Sequence, residues 1–230
     1  AILFFRMGDF YEMFYEDALL AARTLDITLT SRAKDASGAG IPMCGVPFHA
    51  VDGYIARLVR KGFRVAICDQ IEDARKAKGL VKREVVRVVS PGTFTDAGYL
   101  DAREPAFLMA VAAGAGRQAG QLGVALLDVS TGEFTATEYA GSAGLQTLTD
   151  ELAVLRPREI VVPRDDATMD QAAFLQSVAT RWPAIADSGL PVTGVDGWAF
   201  EPEAARRALL DQLRAGGLEG FGLDGHPLAI

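Results

Sequence analysis

The feature that most limits what this chain can fold into is a repeated change of hydrophobic period. Short β-rich runs alternate with amphipathic stripes of helical spacing, and glycine- or proline-bearing turns separate them. Ile2 to Phe5 is a short apolar run suited to a buried strand. Arg6-Met7-Gly8-Asp9 breaks it, with Gly8 permitting a turn and Asp9 placed to cap a following helix. From Phe10 to about Leu25, the stripe Tyr11, Phe14, Ala18, Ala22, Leu25 has helical spacing, and Asp26 to Ser31 then alternates like a strand. After a polar loop from Ala33 to Gly40, Pro47 to Lys61 reads as a second amphipathic helix stopped by Gly62. Phe63 to Cys68 and Glu84 to Val89 are strands flanking a charged loop, and Ser90-Pro91-Gly92-Thr93 closes the unit. That order predicts an α/β domain with a mixed sheet.

Thr95 to Glu104 reads as a linker. Three strands follow with short turns: Ala106 to Ala112, Leu122 to Val129 and Glu133 to Tyr139. Then come a helix (Leu145 to Leu155), a strand (Glu159 to Val162) and two more helices (Met169 to Thr180, Glu203 to Ala215). A three-strand meander followed by alternating helices and strands is the order of ribonuclease-H-like folds. The expected division is therefore residues 1–97, a linker at 98–104, and a second α/β domain at 105–230.

Composition narrows the function classes. No apolar run approaches the roughly 18 residues a membrane span requires, and no signal-peptide layout opens the chain. Cys44 and Cys68 form no disulfide or metal framework, and His49 and His226 are too isolated in sequence to suggest a zinc site. The chain reads as cytoplasmic. Its net charge of −7 hides an asymmetry, since residues 1–97 carry +2 and residues 98–230 carry −9. The basic excess peaks from Arg57 to Arg87, a segment suited either to phosphates or to a solvated helix end and loop.

The usual catalytic signatures are missing from the sequence. There is no GxxxxGK[ST] loop, GxSxG elbow or HExxH helix. Asp128 closes an apolar strand in Leu126-Leu127-Asp128-Val129-Ser130-Thr131-Gly132. It is either the acceptor of its own turn or a metal-holding acid of a ribonuclease-H-like nuclease, with Glu138 and Asp150 the nearest further carboxylates. At the other end, Arg6 to Phe14 sets an aromatic and a carboxylate two residues apart beside a glycine turn. Helical projection does not decide whether Phe10 is core, because it lies only about 40° from Phe14 at the 3.6-residue period.

Met7-Gly8-Asp9-Phe10-Tyr11-Glu12 closely resembles the signature of the MutS family of DNA mismatch-recognition proteins. Ile41 to Ala50 (IPMCGVPFHA), Val65 to Gln70 (VAICDQ) and Ser90 to Thr93 (SPGT) follow in that family's order and spacing. The likeness covers the whole first domain. It continues more weakly through Leu126 to Gly132 and Gly220-Phe221-Gly222, which look like the family's connector domain.

The resemblance implies an N-terminal mixed-sheet mismatch-recognition domain followed by a ribonuclease-H-like connector domain, without catalysis or cofactor in this portion. It implies that the Phe10 ring enters the minor groove of double-stranded DNA carrying mispairs or small loops, and that Glu12 hydrogen-bonds the base beside it. Met7, Gly8, Asp9 and Tyr11 would shape the supporting loop, with Met43 a second neighbour of the groove. Arg32, Lys34, Arg57, Arg60, Lys61, Arg75, Lys76 and Lys78 are candidate phosphate contacts by position and charge. The acidic connector would relay to the rest of the parent and dock the partner MutL, with Arg206, Arg207 and Phe221 in the suspected region. The family's lever, clamp, ATPase and dimerisation regions have no match here. The chain therefore reads as a fragment of a bacterial, nucleoid-associated parent that dimerises and uses ATP and magnesium.

Overall fold

A computed structural model describes residues 1–32, 34, 36–72, 81–95, 104–166 and 168–230. The fold divides into two compact units, Ala1–Phe94 and Thr95–Ile230.

The first unit is a five-stranded mixed sheet. β1 (Ile2–Met7) pairs antiparallel with β2 (Phe10–Phe14), which pairs antiparallel with β3 (Met43–Pro47). On its other side β1 runs parallel to β4 (Val65–Gln70), and β4 is antiparallel to β5 (Arg83–Val89), giving the order β3-β2-β1-β4-β5. Strand alternation sends Ile2, Phe4, Tyr11, Met13, Val46 and Val65 to one buried face. The apolar stripes of α1 (Tyr15–Leu25) and α2 (Val51–Arg60) supply Ala18, Ala21, Leu25, Ile55 and Leu58 to the same core. Each large side chain taken out of water there contributes roughly 1.5–3 kcal/mol.

Three expectations are corrected. Phe10 to Phe14 is a strand, and the helix begins only at Tyr15, whose φ of 53° marks the change of direction. Gly8, at φ +59°, opens a two-residue turn between Met7 and Phe10, the glycine placement of a type II′ hairpin. The aromatic-rich Phe-Tyr-Glu-Met-Phe run then continues as a strand. Asp9 consequently sits in the hairpin turn and caps no helix. Asp26 to Ser31 is not a strand either. Asp26 ends α1 in the left-handed region, and only Thr30 pairs, in a two-hydrogen-bond bridge with Met43. Pro47 ends β3, and a 3-10 turn (Phe48–Ala50) precedes α2, so the second helix starts at Val51.

In the second unit, β6 (Phe107–Ala113), β7 (Gln121–Asp128) and β8 (Glu133–Ala140) form an antiparallel meander. β9 (Glu159–Arg164) adds parallel to β6, and β10 (Val192–Asp196) parallel to β9, giving the order β10-β9-β6-β7-β8. α3 (Gly141–Leu155) and α4 (Gln171–Arg181) cover one face, where Met109, Val124, Leu148, Ile160, Phe174 and Val178 make the core. This is the ribonuclease-H-like order, with two elements the periodicity does not reveal: α5 (Pro183–Asp187) and β10. Both are only five residues long, too short to display a period. α6 (Pro202–Leu213) ends the helical set with no fully buried residue.

Candidate nucleic-acid interface

Strand pairing assembles the residues around Phe10. In β2 the period of two puts Phe10, Glu12 and Phe14 on the face opposite the buried Tyr11 and Met13. Residues directly opposite one another across a sheet project to the same side. Met7 and Pro47 therefore flank Phe10 in one row, while Phe5 and Gly45 flank Glu12 in the next. The Phe10 ring is 47% exposed and Met7 41%. An aromatic and a carboxylate thus share one face at the end of a hairpin, the ring reachable from outside.

Gly45 leaves room for that pair. A Cβ there would lie 3.6 Å from the Glu12 Cγ and 3.8 Å from the Phe10 Cδ1, so any longer side chain would spread across the platform. Glu12 is mostly covered, and its carboxylate lies 3.7 Å from the Arg32 guanidinium, which is open to solvent. Arg32 is thereby a candidate phosphate contact beside the pair. Lys34, also exposed, follows it in the loop and bridges to Gly40.

Beneath the platform the turn is anchored. The Tyr11 hydroxyl donates to Asp69 of β4 at 2.7 Å. Burial, and then the neighbouring Asp69 carboxylate, push the Tyr11 phenol up to about 12. The Arg6 Nε donates to the Gly8 carbonyl, and its guanidinium lies 3.5 Å over the Phe48 ring. The Phe48 N–H donates to the Asp9 carbonyl at 2.8 Å. Arg6, Gly45, Phe48 and Asp69 surround the Phe10 hairpin and are residues that sequence reasoning does not single out. Gly45 and Phe48 stand in IPMCGVPFHA and Asp69 in VAICDQ, so those motifs carried the signal.

The remaining candidates fall elsewhere. Met43 is 5% exposed and opposite Phe14, four strand positions from Pro47 or about 13 Å along β3. It is buried, on the same side of the sheet as Phe14, Glu12 and Phe10 but at the opposite end of β3 from the ring, where its backbone bridges to Thr30. Arg57 donates to the Leu25 carbonyl at 2.6 Å and Lys61 to the Thr24 carbonyl at 2.9 Å, so both bind the C-terminal end of α1, where cations are favoured. With Arg60 they occupy the far end of α2, a helix about 15 Å long that starts just beyond Phe48. Arg75, Lys76 and Lys78 lie outside the described residues. In the second unit, Arg207 and Phe221 are exposed and Arg206 is half-buried.

Asp128 is committed to its own turn. It accepts from the Ser130 N–H at 2.9 Å, the Ser130 hydroxyl at 2.7 Å and the Ala106 N–H at 3.2 Å. The Ser130 side chain, followed by its N–H, holds the Asp128 carboxyl below the usual carboxylate range. Glu138 accepts from the Leu228 N–H, and Asp150 from Gln146. Among the described residues, no three His, Cys, Asp or Glu side chains gather in a way that would hold a metal ion. The nuclease alternative requires such a convergence of carboxylates, and this geometry does not favour it.

A solvent-facing ring and a carboxylate thus share one face of a braced hairpin, an arrangement with the chemistry to meet a flat apolar partner. The family model described as MutS domain I matches residues 1–98, and that described as MutS domain II matches residues 106–230. The chain belongs to the MutS family. It is 44% identical over its whole length to a DNA mismatch repair protein MutS of Desulfatibacillum aliphaticivorans, covering 24% of that relative. The same-named proteins of Solibacter usitatus and Syntrophobacter fumaroxidans are each 45% identical over the whole chain, again with 24% of the relative covered. The chain thus spans about a quarter of the length of these curated relatives.

Proposed function

We propose that the first unit reads mispaired double-stranded DNA in mismatch repair, with Phe10 as a wedge in the minor groove and Glu12 as acceptor for the base beside it. The exposure of the Phe10 ring, on the same strand face as Glu12, carries this reading. Stacking on a base is worth roughly 1–3 kcal/mol and is indifferent to base identity, because every base offers a π-face. Selectivity then comes from the duplex. Kinking a short site costs about 1–6 kcal/mol, and a mispaired step, less firmly stacked, yields more easily. An ionised Glu12 can only accept, so it suits a base N–H and repels the phosphates of ordinary DNA.

The second unit serves as a connector that relays to the ATP-hydrolysing remainder of a dimeric parent and docks MutL, with Arg206, Arg207 and Phe221 in the docking region. Its net negative charge disfavours wrapping DNA. ATP and magnesium belong to that remainder. A fluorescence titration of the intact protein with paired and single-mismatch duplexes of equal length tests the reading. Tighter binding to the mismatch supports it, and equal affinities contradict it.

A further inference from the structure

The hairpin carrying Phe10 is held by a single side chain from three directions. Arg6 stands two residues before Gly8 on β1. Its Nε donates to the Gly8 carbonyl, and its guanidinium carbon sits over the Phe48 ring, 3.5 Å from the centroid. The Tyr11 ring lies 5.4 Å from the same guanidinium carbon. Phe48 in turn binds the second turn residue, its N–H donating to the Asp9 carbonyl at 2.8 Å. The two carbonyls of the turn are therefore secured by two groups that are packed on each other. Behind them, the Arg6 carbonyl accepts from the Arg83 Nε at 3.1 Å, which fixes the strand from which Arg6 reaches.

We infer that Arg6 and Phe48 form a clamp that holds the Gly8-Asp9 turn in the one conformation presenting the Phe10 ring outward. This rests on the mismatch-reading function above and names positioning residues for it, since neither clamp residue need touch the base. A two-residue turn with glycine at its head has other accessible conformations, because glycine is barely restricted in φ. A wedge that must enter a groove binds in proportion to the fraction of molecules already presenting it. Paired DNA, held through phosphates, makes no such demand. The clamp thus governs discrimination and leaves background affinity alone.

The experiment uses the intact protein and its Arg6→Gln, Arg6→Lys, Phe48→Leu and Arg6→Gln/Phe48→Leu variants, with Phe10→Ala as reference. Affinities for paired and single-mismatch duplexes, their salt dependence and the thermal midpoint are measured for each. Loss of a cation–π contact corresponds to a roughly 3- to 30-fold change in an equilibrium, and the mismatch-to-paired ratio falls by that factor in each single variant. Arg6→Lys behaves like Arg6→Gln, because an ammonium keeps the charge and loses the planar guanidinium. The double variant falls no further than the worse single one, which a general loss of structure would not reproduce. An unchanged ratio in Arg6→Gln, alongside a collapsed ratio in Phe10→Ala, overturns the clamp and leaves the wedge standing. A retained preference in Phe10→Ala overturns the wedge itself. Equal losses on both duplexes, with the salt slope reduced by about one, would make Arg6 a phosphate contact and also overturn the clamp. Should Arg6→Gln fail to fold, Arg6→Lys and Phe48→Leu decide by the same ratio.

Discussion

On the proposed reading, the carboxylate at position 12 is an unusual choice, since it faces a polyanion. Its value lies in what it refuses. With Arg32 only 3.7 Å away, removing Glu12 both deletes a repulsive charge and frees a cation for phosphate. Glu12→Ala is therefore expected to tighten binding to paired duplex by roughly two- to tenfold at low salt, with the gain shrinking as salt screens it. Unchanged or weaker paired-duplex binding in a titration would remove the repulsive role. Beneath it, Tyr11 makes a separate, pH-dependent contribution. Its phenol is pushed to about 12 by burial and Asp69, and that of Tyr139 to about 12 by burial and Glu151. Unfolded tyrosines lose their proton near pH 10. The folded state keeps these protons longer, so the stabilisation is fully present below pH 10 and is lost as pH rises through about 12. Tyr11→Phe should remove one proton, about 1.4 kcal/mol per pH unit, from the slope of unfolding free energy across that window. Denaturant midpoints measured from pH 9 to 12 would reveal it, and an unaltered slope would contradict it.

At the scale of elements, the hairpin converts sequence spacing into a shared surface. Gly45 keeps that surface clear, since a Cβ would meet only ordinary contacts but a longer chain would cross the Phe10–Glu12 gap. Gly45→Ala should leave mismatch preference within about twofold, whereas Gly45→Leu should cut it at least about tenfold, the equivalent of part of one base stack. Paired and mismatched titrations compare the two, and equal preference in both variants would show that the platform tolerates bulk. The strands β1, β4 and β5 were legible from their apolar runs, and the Ala18–Ala22–Leu25 stripe identified α1 correctly. The first five residues after the turn were not legible. Tyr11 and Phe14 satisfy a helical spacing, while Tyr11 and Met13 satisfy a strand spacing, and so short a segment cannot separate the two periods. Two pairings decide it: the local one of Phe10 with Met7, which Gly8 permits, and the long-range one of Phe10 with Pro47 on β3, which spacing does not encode. The burial of Met43 is likewise not legible, because it depends on β3 lying between β2 and the Thr30 bridge, a long-range arrangement that spacing does not encode.

Across the whole molecule, charge is divided unevenly. Residues 1–97 carry +2 and residues 98–230 carry −9, and among the described residues no three His, Cys, Asp or Glu side chains gather to hold a metal ion. Among the described residues no carboxylates converge on the ribonuclease-H-like sheet as a metal-dependent nuclease would require, so the nuclease alternative is not favoured. Asp128 illustrates this, its oxygen satisfied by Ser130 and Ala106. The charge asymmetry and the family motifs are legible in the sequence, but the inward bracing of the hairpin by Arg6, Phe48 and Asp69 needs coordinates, because those residues are brought together from β1, the 3-10 turn and β4. What remains decisive is the ring at position 10. Equilibrium binding of the intact protein and its Phe10→Ala variant to paired and single-mismatch duplexes, across a salt series, measures its part. The variant is predicted to lose the preference, bringing the affinity ratio to about 1 from a value that one stacked base can raise roughly 5- to 150-fold, while its salt-sensitive binding to paired DNA persists. A variant that still distinguishes the mismatched duplex as the unsubstituted protein does would contradict the assignment of Phe10 as the reader.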